Sequence, residues 1–156
     1  MCPSLHVVLV APEIPWNTGN AGRTCLAVGA RLHLVRPLGF SLDERAVRRA
    51  GLDYWARVAR SLQVWPSWAE LEPRLPELGT PFFFAPRSSR GFQQACYPER
   101  TVLVFGCESV GLPPEILARH AAATVEIPMR DPELRSLNLS TSVAVAAYEV
   151  RRQWGG

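Results

Sequence analysis

The sequence contains no lysine, so all 17 of its basic residues are arginine. Without lysine the chain cannot form a Schiff base with a substrate or with pyridoxal phosphate, and it lacks the phosphate-binding lysine of a Walker loop. The planar guanidinium of arginine suits phosphate, although a coding bias explains the replacement equally well. The formal net charge of +3 favours a nucleic-acid partner only slightly.

Cysteine is scarce and the apolar runs are short. The four cysteines are too irregularly spaced for a zinc ribbon or a C-x-x-C redox pair, and the three histidines add no metal-ligand spacing, so we expect no metal. The first apolar run, Leu5 to Val10, is followed by Pro12 and Glu13. We therefore expect neither a signal peptide nor a membrane span, and a cytoplasmic location.

The common side-chain fingerprints of nucleotide and hydrolase sites are also missing. No G-x-G-x-x-G occurs, which disfavours a Rossmann dinucleotide site. The segment Gly106-x-x-Ser109-x-Gly111 is one residue longer than the nucleophile elbow of serine hydrolases. These patterns leave the chemistry open.

What is present is an alternation of apolar strands and helices in a chain of 156 residues, 47% of them hydrophobic, which fits a single domain over residues 1–156. Strands are predicted at Leu5–Val10, Leu32–Val35, Leu62–Trp65, Phe82–Ala85, Thr101–Phe105 and Thr124–Ile127. Helices are predicted from a cap within Asn17–Asn20 to Gly29, at Asp43–Arg49, at Ser67–Leu75 with Ser67 as cap, from Pro113, and at about Asn138–Gln153. The pattern indicates an α/β fold with a parallel sheet covered by helices on both faces.

In such a sheet the ligand lies beyond the carboxyl ends of the strands, so the segments after Val10, Ala85, Phe105 and Ile127 are the candidate site. On the second predicted helix, Arg45, Arg48 and Arg49 share one face. They are candidates for contacts with RNA phosphates, and a solvated helix face is the alternative. The aromatic residues Trp55, Trp65, Trp68 and Phe82–Phe84 are expected to pack in the core, and stacking on bases is the alternative.

Several segments, in this order, resemble the knotted (SPOUT) class of RNA 2′-O-methyltransferases, and most closely those that modify the wobble nucleotide of tRNA. They are Pro12–Arg23, Arg31–Phe40, Arg48–Tyr54, Phe105–Pro113, Ile127–Met129 and Arg135–Ser140. The resemblance covers nearly the whole chain. It implies a deep trefoil knot that, with the cofactor site, is formed by about residues 80–156, S-adenosylmethionine as methyl donor with S-adenosylhomocysteine as product, and tRNA as partner.

The resemblance also assigns roles to residues. Arg23 is the catalytic residue. Contacts to the methyl donor, largely from main chain, fall on Ala85, Gly106, Ile127, Met129, Ser136 and Leu137. Asn17, Asn20 and Glu108 shape the loops that present Arg23, Asn138 belongs to the same set of motif positions, and Ser140 binds a substrate phosphate or caps the last helix.

A homodimer is expected from the resemblance and from apolar residues of the last helix that a monomer would leave exposed, namely Leu139, Val143, Val145, Ala146 and Val150. The chain departs from the family at Val110, where arginine is usual, and in the connection Arg130–Leu134, which is one residue longer. Methylation of another tRNA or rRNA site, or a catalytically inactive RNA-binding protein, are the alternative functions.

Overall fold

The computed structural model describes residues 2–43, 45, 49 and 52–156. Its centre is a six-stranded sheet whose paired strands run parallel, in the order β3-β2-β1-β5-β4-β6. The strands are β1 (Ser4–Val10), β2 (Ala30–Val35), β3 (Gln63–Trp65), β4 (Thr80–Phe84), β5 (Arg100–Phe105) and β6 (Thr124–Val125). The helices that lie wholly within the described ranges are α1 (Pro15–Val28), α2 (Trp55–Ala59), α3 (Trp68–Leu71), α4 (Leu75–Leu78), α5 (Pro114–Arg119) and α6 (Leu139–Gln153).

The two faces of the sheet carry two separate hydrophobic clusters, because successive side chains of a strand point to opposite faces. One cluster joins the odd-numbered residues of β1, such as Leu5 and Val7, to apolar residues of α1, α2 and α6. The other joins the even-numbered residues Val8 and Val10 to α3, α4 and α5. The predicted α/β architecture with helices on both faces is confirmed.

The strand order reverses beside β1. From β1 the chain adds β2 and then β3 on one side, whereas β5, β4 and β6 lie on the other side of β1. In open parallel sheets a crevice forms where the order reverses, outside the carboxyl ends of the strands. Here it lies between the ends of β1 and β5, which pair from Ser4 with Arg100 to Leu9 with Phe105.

The start of α1 differs from the prediction. The helix begins at Pro15, so Asn17 lies within it rather than capping it, and the cap position is Ile14, whose side chain makes no cap hydrogen bond. Proline suits the first helical position because its missing N–H would have no partner there. The end is as predicted: Gly29 adopts φ 68°, the left-handed conformation typical of helix C-caps.

Other segments are shorter or more broken than predicted. The helix predicted over Ser67–Leu75 is divided into α3, a 3₁₀ turn at Glu72–Arg74 and α4, and two prolines, Pro73 and Pro76, lie in this stretch. Strand β6 ends at Val125, so Ile127 lies beyond it. Most of the helix predicted at Asp43–Arg49 falls outside the described residues.

The apolar face of α6 is used within the chain. Leu139, Val143, Ala146 and Val150 are buried against the chain's own sheet and α1, and of the predicted dimer residues only Val145 is exposed, at 37%. Apolar periodicity shows that a helix face is covered but does not identify what covers it. The expectation that a monomer leaves these four side chains exposed was therefore wrong, and the homodimer stays a prediction.

Candidate active site

The loops that follow β1 and β5 are joined by the carboxylate of Glu108. Its oxygens accept hydrogen bonds from the main-chain nitrogens of Glu13 (2.9 Å) and Ile14 (2.5 Å), and from the side-chain amide of Asn17 (3.3 Å). The N–H groups at a helix start have no partner within the helix, and a negative charge there is favourable. Glu108 thus stabilises the start of α1 in place of a local cap.

A second polar contact links α1 to α6. The buried side chain of Asn17 accepts a hydrogen bond from the amide of Asn138 (3.0 Å). The oxygen of Asn138 in turn accepts from the main-chain nitrogens of Ser140 (2.9 Å) and Thr141 (3.3 Å) and caps α6. The Ser140 hydroxyl donates to the same oxygen (2.7 Å). The cap of α6 is therefore Asn138 and not Ser140, and the binding of a substrate phosphate by Ser140 stays a prediction.

The loop after β5 makes a tight turn in which glycine is required. A Cβ added to Gly106 would lie 2.0 Å from the carbonyl carbon of Gly111, and Gly111 itself adopts φ 72°. At the tip, the Ser109 hydroxyl donates to the Glu13 carboxylate (2.5 Å) and holds the pKa of that carboxyl below its ordinary value. Arg135 donates to the carbonyl of Ser109 (2.5 Å). The turn is therefore attached to the segments that follow β1 and β6.

These loops surround a cleft of about 550 Å³. All six residues predicted to contact the methyl donor line it, together with Asn17, Glu108 and Asn138. The cleft walls are Phe84–Arg87, Phe105–Gly111 and Arg135–Leu139, with Ile14, Asn17, Ile127, Met129 and Ser142. The predicted residues thus converge on one place, and their contacts with a cofactor stay a prediction.

The catalytic candidate lies elsewhere. Arg23 is exposed on α1, and its guanidinium carbon lies 5.0 Å from the centre of the Tyr54 ring, a cation–π distance. Neither Arg23 nor Asn20, which is also exposed, lines the cleft of its own chain.

The three arginines predicted to share a helix face, Arg45, Arg48 and Arg49, are called the arginine stripe, and the structure describes them only in part. Arg45 and Arg49 are exposed and helical, and Arg48 lies outside the described residues.

Three residues of the site were given no role from the sequence. Arg87 and Arg135 both line the cleft, and Ser109 connects two of its loops. Their place in the sequence could have indicated the two arginines, because Arg87 follows Ala85 by two residues and Arg135 directly precedes Ser136, and both Ala85 and Ser136 are predicted cofactor residues.

The histidines are structural. His6 and His33 are buried, with 2.8 Å between Nδ1 of His6 and Nε2 of His33, and the Trp65 indole donates to Nδ1 of His33 (3.1 Å). Burial, helped by Arg31, lowers the pKa of His6 to about 4 and that of His33 to about 3. His120 contacts Glu72 (2.8 Å) and stacks on Phe83.

Within the described ranges, no group of three or more histidine, cysteine or acidic side chains is arranged to hold a metal ion. No helix there is long and apolar enough to cross a membrane.

Comparisons with known proteins identify the family of the chain. The family model of the SpoU rRNA methylases matches residues 4–148. A tRNA (cytidine(34)-2'-O)-methyltransferase of Burkholderia cenocepacia is 46% identical over 152 residues, 96% of each chain. A solved structure described as "Structural insights into the 2-OH methylation of C/U34 on tRNA" is 47% identical, covers 99% of this chain and 98% of its own, and has a TM-score of 0.90. An AdoMet-bound rRNA methyltransferase from Sinorhizobium meliloti is 26% identical with a TM-score of 0.81, covering 97% of this chain and 58% of that one.

The match to the family model spans most of the chain, and the relatives at 46% and 47% identity cover nearly all of it. The parallel sheet with helices on both faces is in keeping with these matches. The chain belongs to the SpoU rRNA methylase family and is a methyltransferase.

Proposed function

We propose that this methyltransferase transfers the methyl group of S-adenosylmethionine to the ribose 2′-hydroxyl of the wobble nucleotide, cytidine or uridine, in a tRNA anticodon loop. The observation that carries the proposal is the cleft at the order reversal, where the six predicted cofactor residues meet. The relatives named for cytidine 34 and for C/U34 support the choice of substrate. S-adenosylhomocysteine is then the product.

The residues of the cleft suit this cofactor. A volume of about 550 Å³ lies within the usual range for small-molecule sites, roughly 300–1,000 Å³. Among the described residues, Ile127, Met129, Ser136 and Leu137 take part in no main-chain to main-chain hydrogen bond, so their amides and carbonyls are available to a ligand. Gly106 also lines the cleft, and its missing side chain leaves room for the main chain of Gly111. When bound, the cofactor supplies an electrophilic methyl group on its sulfonium sulfur.

The lining of the cleft includes two arginines that can meet the phosphates of an RNA substrate. They are Arg87 and Arg135, and guanidinium groups bind phosphate through paired hydrogen bonds. We infer that they hold phosphates next to the target nucleotide while Glu108 and Asn138 keep the loops in place.

The position of Arg23 outside its own chain's cleft supports a homodimer in which a second copy completes the site. On α1, Trp16 (54% exposed) and Arg23 share the exposed side of the helix, and on the neighbouring α6 so do Val145 (37%) and Tyr148 (58%). Exposed aromatic side chains on two adjacent helices are typical of an isologous interface. Such an interface brings Arg23 of one copy towards the cleft of the other.

Arg23 then acts without accepting a proton, because a guanidinium keeps its proton at neutral pH. It binds the developing oxyanion of the ribose and the adjacent phosphate together, which holds the hydroxyl in line with the methyl group. The phosphate or a water molecule takes the proton.

The decisive experiment is to incubate the protein with total RNA and S-adenosylmethionine carrying a labelled methyl group, and then to map the label. We expect it on the 2′-oxygen of nucleotide 34 of one or a few tRNAs. Label in rRNA or at another tRNA position would contradict the proposed substrate, and RNA binding without any label would favour an inactive RNA-binding protein.

A site built from the cleft of one copy and Arg23 of the other, called the shared site, is tested by mixing two inactive variants. Arg23→Ala removes the catalytic group, and Leu137→Trp fills the cleft. If Arg23 acts across a two-fold interface, re-associated mixtures should recover about a quarter of wild-type sites, since half of the dimers are mixed and each has one intact site. An inactive mixture in which mixed dimers are shown to form, or a protein that sediments as an active monomer at micromolar concentration, would contradict the shared site.

A further inference from the structure

Three large apolar residues with exposed side chains lie in, or next to, the loops that line the cleft: Ile14 (41% exposed), Val110 (82%) and Leu134 (46%). We call them the apolar rim. Hydrogen bonds join the loops that carry them. The main-chain nitrogen of Ile14 donates to Glu108, two residues before Val110, and Arg135, which follows Leu134, donates to the Ser109 carbonyl. Ile14 and Val110 themselves line the cleft.

The fold does not account for these side chains. Single exposed apolar residues are ordinary, but three at one opening are not. The other large exposed apolar residues in the described part of the chain, Trp16, Val145 and Tyr148, lie on the helices α1 and α6. The turn after β5 depends on Gly106 and Gly111, and a side chain at position 110 that is 82% exposed adds little to its packing.

The charges beside the rim indicate what covers it. Arg87 and Arg135 line the same cleft, so the opening combines guanidinium groups with an apolar surface. A nucleotide has the matching parts, because its phosphates are anionic and the face of its base is apolar. Proteins that bind single-stranded RNA hold unstacked bases in this way, with cations on the backbone and flat or apolar contacts on the bases.

We propose that the apolar rim is a platform for the face of the target base, with Val110 as its central contact; this rests on the proposed function. A ribose whose 2′-oxygen reaches the cleft carries its base to the opening, where the rim lies. A contact with the face of a base involves none of the hydrogen-bonding groups on its edge, so it does not distinguish one pyrimidine from another. The rim therefore selects for the presence of a base and accepts cytidine and uridine alike.

The test uses anticodon stem–loop RNAs that carry cytidine, uridine or a base-free ribose at position 34, and measures their Kd in the presence of S-adenosylhomocysteine. For the wild-type protein we expect similar Kd values for cytidine and uridine, and a Kd about tenfold higher for the base-free RNA. Val110→Asp should raise the Kd of the two base-containing RNAs about tenfold and that of the base-free RNA less than twofold. Val110→Thr, similar in shape, should have a smaller effect.

A matched control is Ala69→Asp, which adds the same charge at an exposed position of α3 that does not line the cleft. It should leave all three Kd values unchanged. If Val110→Asp raised the Kd of all three RNAs equally, the added charge would be repelling RNA in general, and the proposed platform would be overturned. A change in the sedimenting mass of Val110→Asp would also overturn it, because a second copy of the chain would then cover the rim.

Methyl transfer is measured separately on the same RNAs. If the wild-type protein methylates none of them, the proposed function fails, whereas the difference in Kd between base-containing and base-free RNA still decides for or against the platform.

Discussion

Arg151 of α6 donates to the main-chain oxygen of Val28, the last residue of the helical segment α1, with 2.6 Å between its Nε and that oxygen. At the other end of the same two helices, Asn17 accepts from Asn138 at 3.0 Å. The helices therefore run parallel and are joined at both ends. A cation at a helix C-terminus and a capped N-terminus are each favourable, so both joints stabilise the pair.

Replacing Arg151 by alanine should lower the free energy of unfolding by about 2 kcal/mol, because the charged hydrogen bond to the end of α1 is removed. Affinity for S-adenosylmethionine should be nearly unchanged, since Arg151 does not line the cleft. Urea denaturation and calorimetric titration measure the two quantities. The control is Arg57→Ala, at an exposed position of α2; equal stability of the two variants would contradict the expectation.

Glu108→Ala should lower the free energy of unfolding by about 1–2 kcal/mol and weaken cofactor binding, because the start of α1 loses its remote cap. Glu108→Gln keeps acceptor capacity without the charge and should be less destabilised. Glu115→Ala, exposed on α5, is the matched control. If Glu108→Ala were as stable as this control, Glu108 would not be the cap of α1.

Arg23→Ala should fold normally and bind S-adenosylmethionine with normal affinity, while its turnover falls by two or more orders of magnitude, about 2.7 kcal/mol of barrier. Arg23→Lys should remain poor because an ammonium group cannot bridge two oxygens as a guanidinium does. Single-turnover rates with tRNA decide the question. Near-normal turnover of the lysine variant would refute paired hydrogen bonds, and an unfolded alanine variant would assign Arg23 a structural role beside Tyr54.

The triple variant with Arg45, Arg48 and Arg49 replaced by alanine tests the arginine stripe. If each guanidinium binds a phosphate, RNA affinity should fall, and the slope of log affinity against log salt should flatten by about one unit for each phosphate that is no longer neutralised. Cofactor affinity should not change. An unaltered slope would identify the stripe as a solvated helix face.

The buried histidines predict a dependence of stability on pH. Folding lowers the pKa of His6 to about 4 and of His33 to about 3, below the unfolded value of about 6.5. Between these values the unfolded chain binds protons that the folded chain does not, so stability falls as the pH drops from about 7 towards 4. His33→Gln should reduce this slope by up to about 1.4 kcal/mol per pH unit. Urea titrations at several pH values measure it, and an unchanged slope would contradict the assignment.

The sequence predicted the sheet well because its strands are continuous apolar runs, and the place of the cleft followed from the rule for parallel sheets. It did not predict the start of α1, because the group that caps it, Glu108, lies 94 residues away along the chain. Local signals such as the asparagines at 17 and 20 pointed to the wrong residue. Asn17 instead joins two helices, a role that depends on tertiary packing.

The same limit applies to α6. Its apolar residues were correctly identified as a covered face, but the choice between the chain's own sheet and a second copy is not encoded in the periodicity. Arg23 presents the converse case. Its place in a motif was evident, whereas its distance from the cleft of its own chain follows from how α1 packs beside Tyr54.

The hydrogen bond from Trp65 to His33 fixes which ring nitrogens donate and which accept in a row of three side chains across the sheet. An indole nitrogen can only donate, so Nδ1 of His33 must accept and its Nε2 must carry the hydrogen. That hydrogen points at Nδ1 of His6, which must accept, so the proton of His6 resides on Nε2. One donor on the edge strand β3 thereby sets the tautomers of two imidazoles on β2 and β1. Both hydrogen bonds run in the same direction, from β3 towards β1.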